Sequence, residues 1–451
     1  MSNENLLKNP LAAQLYERFA KELPIIDYHN HLSVQDIVSD RCFENITRLW
    51  IATDPYKHRA MRILGIPEHF ITGDASDYEK FKKWYLCIPR LAGTPLYDWS
   101  IMECRLLFGI TLPPFHTPAE EIWQKANGIL QQLTAKKILE AFNIEYCAPC
   151  AGICDDLSPF AELSFVSPSL RGDDMAAPDG AFLQKLQRVS GAAVQTLQDY
   201  LAAIEQRILL FKKAGCCFTD HALDDGFHYI PDDGKNEARF LALATGKTLT
   251  DADRVVLSSR ILRDLGRLYA KHGLAMQLHI GAKRTTSTRL RKIAGPAGGY
   301  AAIGKCVDVP SLTALLDDIE QAGVLPKTIL FTLNPADNAV MSVLSGSYSR
   351  DGMEAVVSQG PAWWWCDHAQ GMREMLDHIS VYGVLSTFIG MTTDSRSLLS
   401  FVRHDYFRRI LCQWIAEKVE LGQLPDDMTI LSDLVRRVCY ENVKKNIEIR
   451  R

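Results

Sequence analysis

The stretch Asp27-Tyr28-His29-Asn30-His31 follows the apolar run Leu23-Pro24-Ile25-Ile26. A short apolar run of this kind reads as a strand. Residues two apart on a strand point to the same face, so His29 and His31 aim both imidazoles at one point at the strand end. Two converging neutral imidazoles are half of a site for zinc or a similar divalent ion. A pair of surface histidines would show the same spacing, so the reading depends on what the rest of the chain brings to that point.

At 451 residues the chain exceeds the usual single-domain size. A large α/β barrel with an insertion still accounts for all of it. We expect one barrel domain over residues 1–451, with residues 33–143 as a helical insertion capping the barrel mouth. The net charge of −4 offers no basic stripe for nucleic acid. No apolar run reaches the roughly 18 to 20 residues of a membrane span. The start, Met1-Ser2-Asn3-Glu4-Asn5, lacks the basic and apolar pattern of a leader. Twelve cysteines spread over so long a chain suit reduced thiols in a cytoplasm rather than a disulfide framework. Cys147, Cys150 and Cys154 have cluster-like spacing, but no second group follows, and they read as buried or loop thiols.

Eight β-like runs recur: Ile25–His31, Ile144–Ala148, Leu163–Pro168, Cys216–His221, Ala275–Ile280, Thr328–Leu333, Ala362–Cys366 and Leu385–Met391. Between most of them lies room for a helix. Leu197–Ile204 has helical periodicity, as do Leu312, Leu315, Leu316 and Ile319. Alternating strand and helix predicts a parallel sheet, and eight such units predict a closed (β/α)8 barrel. A doubly wound open sheet is the competing architecture, but no Gly-rich nucleotide turn follows the first strand. From Leu32 to about Asn143 there is no convincing strand, and Tyr78–Tyr85 and Glu120–Leu133 have helical spacing. A connection that long carries its own structure or a function.

In such barrels the chemistry sits at the carboxyl ends of the strands. Those ends offer His29 and His31, Arg171, Asp220-His221, His279, Asn334 to Asn338, Trp363-Trp364-Trp365, and Asp394 with Arg396. Three imidazoles and a carboxylate, His29, His31, His279 and Asp394, make a plausible metal set. The carboxylate can bind the ion or stand beside it as a base. Arg171, Arg396 and Arg59 predict an anionic substrate, because guanidinium binds carboxylate or phosphate bidentately. A tryptophan such as Trp364 offers a flat wall to a sugar face. Tyr56, about one helical turn from Arg59, offers a phenol to a substrate oxygen. Arg403 to Arg409 reads as a polar helix start without assigned chemistry.

The chain resembles the uronate (glucuronate) isomerases of the amidohydrolase superfamily over essentially its whole length. The resemblance rests on Asp27 to Leu32, Tyr56-Lys57 with Arg59 to Arg62, Thr72 to Asp77, Pro95 to Tyr97, and Asp220 to Leu223. It continues through His279 to Ala282, Leu325 to Leu330, Asn334-Pro335 with Asp337-Asn338, Thr393 to Ser397 and Arg408 to Cys412. It implies a distorted barrel with a helical insertion after the first strand. It implies interconversion of D-glucuronate with D-fructuronate and of D-galacturonate with D-tagaturonate. It implies one metal ion, usually zinc, on His29, His31 and Asp394, with His279 nearby. No counterpart of a metal-bridging lysine is found. Cys147 to Gly152 and Arg284 to Ser287 depart from the family's usual Thr-Thr-Asp-Asp-Pro-like and Arg-Asn-Asn-Asn-like stretches.

The expected mechanism is proton transfer through a cis-enediol. Asp394 is the base, Arg396 and the metal stabilise developing charge on oxygen, and Tyr56 assists. Arg171 or Arg59 holds the substrate carboxylate, with His279 and Trp364 also in contact. A metal-dependent hydrolase on the same barrel and a non-catalytic sugar-acid binder are the alternatives. Large helical layers suit a homo-oligomer.

Overall fold

The computed structural model describes residues 6–110 and 117–447. The first five residues, read above as lacking a leader pattern, lie outside that description, as do residues 111–116 of the expected insertion and residues 448–451.

The strands are β1 (Ile25–Asn30), β2 (Ile144–Gly152), β3 (Ser169–Arg171), β4 (Phe218–Leu223) and β5 (Ala275–Ile280). The remaining four are β6 (Ala282–Lys283), β7 (Ala302–Ile303), β8 (Thr328–Thr332) and β9 (Val357–Gln359). Seven of them form one parallel sheet in the order β1-β2-β3-β4-β5-β8-β9. β6 and β7 make a separate antiparallel ribbon. Every residue of β1, β5 and β8 is buried, as a parallel sheet packed on both faces requires. The helices between strands follow their apolar spacing. Leu312, Leu315, Leu316 and Ile319 are all buried on the helix Val309–Gln321. The helix Leu197–Lys213 begins with a reciprocal cap between Thr196 and Asp199 and buries Leu197, Tyr200 and Ile204. The architecture is a distorted (β/α)8 barrel.

Three predicted strands differ from the observed ones. The third lies at Ser169–Arg171 rather than Leu163–Pro168; only Val166 bridges β2 before Pro168. The seventh lies at Val357–Gln359. Pro361, which has no N–H to donate, precedes the predicted run, and Trp364 turns through φ +50° into a short 3-10 turn, Trp364–Cys366. The eighth is not a strand at all. Leu385–Thr387 is a 3-10 turn, and Gly390 follows at φ +82°. A Cβ on Gly390 would meet the Val438 carbonyl oxygen at 2.2 Å, so only glycine permits this close pass.

The eighth stave is joined to β1 largely through side chains. Asp27, fully buried on β1, accepts from Thr392 Oγ1 (2.8 Å) and Thr393 N (2.7 Å) at Oδ1, and from Thr393 Oγ1 (2.7 Å) and Asn30 Nδ2 (2.9 Å) at Oδ2. His404 Nε2 lies 3.2 Å from Oδ1. Backbone bonds Asp394 N to His29 O (3.0 Å) and His31 N to Ser395 O (2.8 Å) complete the join. Asp394 is thereby placed beside the two histidines.

Between β1 and β2 the described residues form helices, among them Pro55–Ile63, Asp77–Cys87, Pro95–Phe108 and Ala119–Leu130. Asp54 caps the first of these by accepting from Tyr56 N and Lys57 N, with Pro55 in the first turn. Its other oxygen pairs with buried Lys57, which also reaches Glu103 on Pro95–Phe108 at 3.4 Å. Trp50 Nε1 donates to the same Glu103. Gly299, at φ +80°, lets the segment between β6 and β7 pass Pro55 closely; a Cβ there would meet the Pro55 carbonyl oxygen at 2.3 Å. No helix among the described residues is long and apolar enough to cross a membrane.

Candidate active site

At the carboxyl ends of the strands lies a cavity of about 290 Å³. His29, His31, Asp394, His279, Arg171 and Arg396 line it, together with Tyr56 and Trp364. The sequence had singled out all eight. Arg59 does not line the cavity. Its guanidinium lies over the Trp365 ring at 4.7 Å and reaches the carbonyls of Gly299 (3.4 Å) and Ala301 (3.3 Å).

Asp394 is the centre of the constellation. Its Oδ1 lies 3.2 Å from His29 Nε2 and 3.1 Å from His31 Nε2. Its Oδ2 accepts the indole N–H of Trp363 at 2.7 Å. The backbone of Asp394 is left-handed, φ +47°, a conformation a non-glycine residue holds only when its surroundings fix it. Burial opposes charge on Asp394, but hydrogen bonds and charge from His29 and His31 overcome it and hold the carboxyl well below its ordinary range. Burial likewise opposes charge on the imidazoles. Cys150 and Asp394 outweigh it, raising His29 well above its ordinary value and His31 to about 9. His279 goes the other way: burial and then the neighbouring His29 push it well down. Its ring stacks on Phe331, its centroid is 4.5 Å from that of His29, and its buried Nε2 has no protein partner.

These residues fit a divalent ion. Two imidazole nitrogens lie about 3 Å from one carboxylate oxygen. Such a separation suits atoms that each sit about 2.1 Å from a shared ion. The chain supplies nitrogen, oxygen and sulfur donors here. One donor atom each of His29, His31 and Cys150 lie within 4.8 Å of one another, as do those of His29, Asp220 and His279.

The cations are divided between the walls. Arg171, at the end of β3, pairs with Asp173 at 2.8 Å. Arg284 was noted in the sequence only as a departure; it lines the cavity, shares its Nε between both oxygens of Asp224 (2.8 and 2.9 Å) and faces the Trp364 ring at 5.8 Å. Arg396 is exposed at the rim.

Tyr56 brings a buried hydroxyl without a protein partner. Burial raises its pKa well above the ordinary phenol value, against the lowering effect of Arg403. Arg403 is a residue that sequence reasoning passed over. It lies on the helix Val402–Glu420, which was read as a polar start, yet its guanidinium is buried between the rings of Tyr56 (4.6 Å) and Trp99 (4.1 Å). It bonds Asp367 Oδ2 at 3.3 Å and the Thr393 carbonyl at 3.2 Å. Trp363 and Cys150 were also missed as site residues. The run of three tryptophans carried a signal for the first, and the position of Cys150 at the end of β2 carried one for the second.

The sequence matches the UxaC glucuronate isomerase family model over residues 1–447. It is 38% identical to the uronate isomerase of Bacillus pumilus over 463 aligned positions, covering 100% of this chain and 97% of that one. A crystal structure of uronate isomerase from Thermotoga maritima superposes with a TM-score of 0.91 at 29% identity, covering 99% of both chains. The glucuronate isomerase structure from Caulobacter crescentus, at 24% identity, shares the fold with a TM-score of 0.90 over 100% of this chain and 97% of that one. The family so reached is that of the isomerase reading, not of the hydrolase alternative. This chain is a member of the glucuronate isomerase family.

Proposed function

We propose that this enzyme interconverts D-glucuronate with D-fructuronate and D-galacturonate with D-tagaturonate by proton transfer through a cis-enediol, with Asp394 as the base. The observation that carries the assignment is the Asp394 carboxylate, fixed by Trp363 and facing a cavity ringed by imidazole and guanidinium groups.

Asp394 removes the proton from C2 of the aldose, exchanges it with solvent while the enediol stands, and delivers a proton to C1 on the same face, while O1 gains a proton and O2 loses one. The carboxylate meets the two imidazoles through Oδ1 and is held by Trp363 through Oδ2, which fixes it in place to accept a proton. Arg396 stabilises negative charge as it develops on the two oxygens. Tyr56 donates its hydroxyl hydrogen to a substrate oxygen from the insertion side. Arg171, with Arg284 beside Trp364, receives the C6 carboxylate, and the Trp364 ring lies against the sugar. His279 contributes its unpartnered Nε2 to a substrate oxygen. Arg59 acts one layer out, fastening the segment at Gly299 and Ala301 to the helix that bears Tyr56.

His29, His31 and Asp394 are the residues that would hold one divalent ion, zinc by donor type. Such an ion supplies Lewis-acid polarisation of the substrate oxygens. Residues 33–143 serve as the cap of the barrel mouth. The enzyme works in the cytoplasm, which suits twelve free thiols, and as a homo-oligomer, which size-exclusion chromatography with light scattering tests.

The test incubates purified protein with glucuronate and galacturonate in deuterated water and follows the products by NMR. Ketose formation with deuterium at C1 is expected. Ketose without deuterium replaces the enediol by a hydride shift, and no ketose from either sugar overturns the assignment.

A further inference from the structure

Among the described residues, Cys150 is the one cysteine that the fold delivers to the active-site histidines. The strand β2 runs on to Gly152 and pairs there with β3, Cys150 opposite Ser169, which fixes the residue next to β1 at the barrel mouth. Its Sγ lies 3.6 Å from His29 Nδ1 and 3.4 Å from Asp220 Oδ1. Donor atoms of Cys150, His29 and His31 fall within 4.8 Å of one another. The neighbouring Cys147 is engaged elsewhere, accepting from Asn30 Nδ2 at 3.2 Å.

We infer that Cys150 supplies a sulfur donor to an ion held with His29 and His31, where His29 binds through Nδ1, the nitrogen facing Sγ, and leaves its Nε2 to Asp394. The inference rests on the reading that those two histidines bind a divalent ion. A thiolate with two imidazoles is a soft donor set. It favours zinc and cobalt over magnesium and manganese, which prefer oxygen donors. On binding, the Cys150 S–H bond breaks, a sulfur–metal bond forms, and the proton leaves to solvent. The Asp220 carboxylate, already in contact with Sγ, stands on the path of that proton. With sulfur as a third donor, retention of the ion no longer depends on Asp394. Its carboxylate is then held by Trp363 for proton transfer.

The test loads the full-length protein with cobalt(II) under anaerobic conditions. Wild type is expected to bind one cobalt per chain and to show sulfur-to-cobalt charge-transfer absorption in the near ultraviolet. Cys150→Ser should lose that band while still binding cobalt at saturation, and its zinc affinity should fall about tenfold or more. X-ray absorption on the zinc-loaded wild type, which needs no variant to fold, should show one sulfur at about 2.3 Å. One cobalt per chain without the band in wild type overturns the sulfur donor and leaves the histidine reading standing. Persistence of the band in Cys150→Ser assigns it to another thiol and overturns the proposal. Absence of stoichiometric binding by wild type overturns both readings.

Discussion

The indole N–H of Trp363 donates to Oδ2 of Asp394 at 2.7 Å, while the other carboxylate oxygen faces His29 and His31. One oxygen is thus held by a neutral donor and the other is presented to the site. Asp394→Asn should reduce kcat by about 10²- to 10⁴-fold, the range for removing a general base. The circular dichroism spectrum should not change. Trp363→Phe keeps the carboxylate but frees it to rotate. A charge-assisted hydrogen bond is worth about 1.5–3 kcal/mol, so kcat should fall about ten- to hundredfold with KM little altered. Near-normal turnover of Asp394→Asn removes it from the proton path.

Arg171 and Arg284 face the cavity from adjacent walls, each balanced by one aspartate. Replacing either with methionine should raise KM for the uronate about ten- to hundredfold, the loss of a charge-assisted contact of about 1.5–3 kcal/mol. The informative comparison is the matching neutral hexose. Its turnover, measured at high concentration, should be little changed by the same substitutions. Equal losses on both sugars would remove these arginines from carboxylate recognition.

Asp27 ties the eighth stave to β1 through both carboxylate oxygens. Asp27→Ala leaves several buried donors unpaired, each a cost of about 1–3 kcal/mol. The unfolding free energy in urea should drop by about 3 kcal/mol or more. A loss under about 1 kcal/mol would show that the join is made elsewhere.

Asp367 gives the protein a pH dependence of known sign. Burial pushes its carboxyl up to about 7, with Arg403 opposing and the charge of Asp394 adding to the rise. In the unfolded chain the same group titrates at about 4. Its contribution to stability is therefore fully present below about pH 4 and is lost as pH rises through about 7. Wild type should lose stability between about pH 4 and pH 7, and Asp367→Asn, a neutral near-isostere, should lose less. Parallel slopes in urea unfolding would place the titration on another group.

The barrel was legible from the sequence because five of its strands are short apolar runs with helical periodicity between them. Ala275–Ile280 was placed to the residue. His29, His31, His279 and Asp394 were legible because polar residues at strand ends have few structural uses. The seventh and eighth predicted strands were misplaced for one reason. At Trp364 and Asp394 the backbone is left-handed, and at Gly390 a helix passes too close for a side chain. Tertiary contacts decide those conformations, and local pattern does not record them. Arg403 was hidden for a related reason. A charged residue in a helix reads as solvated until the aromatic rings that enclose it, Tyr56 and Trp99, are brought from three hundred positions away.

The closure of the barrel beside β1 has a dynamic consequence. From β4 through β5 to β8 the staves share regular ladders; beside β1 the cylinder is laced by an aspartate, two threonines and two backbone bonds. Such a joint breathes more readily than a ladder, since only two backbone bonds and a few side chains hold it. Amide exchange at Met391 to Asp394 should then be faster than in the middle of β4 and β5. On the proposed mechanism, an opening that loosens this join also lets Asp394 adjust between the two carbons it must serve.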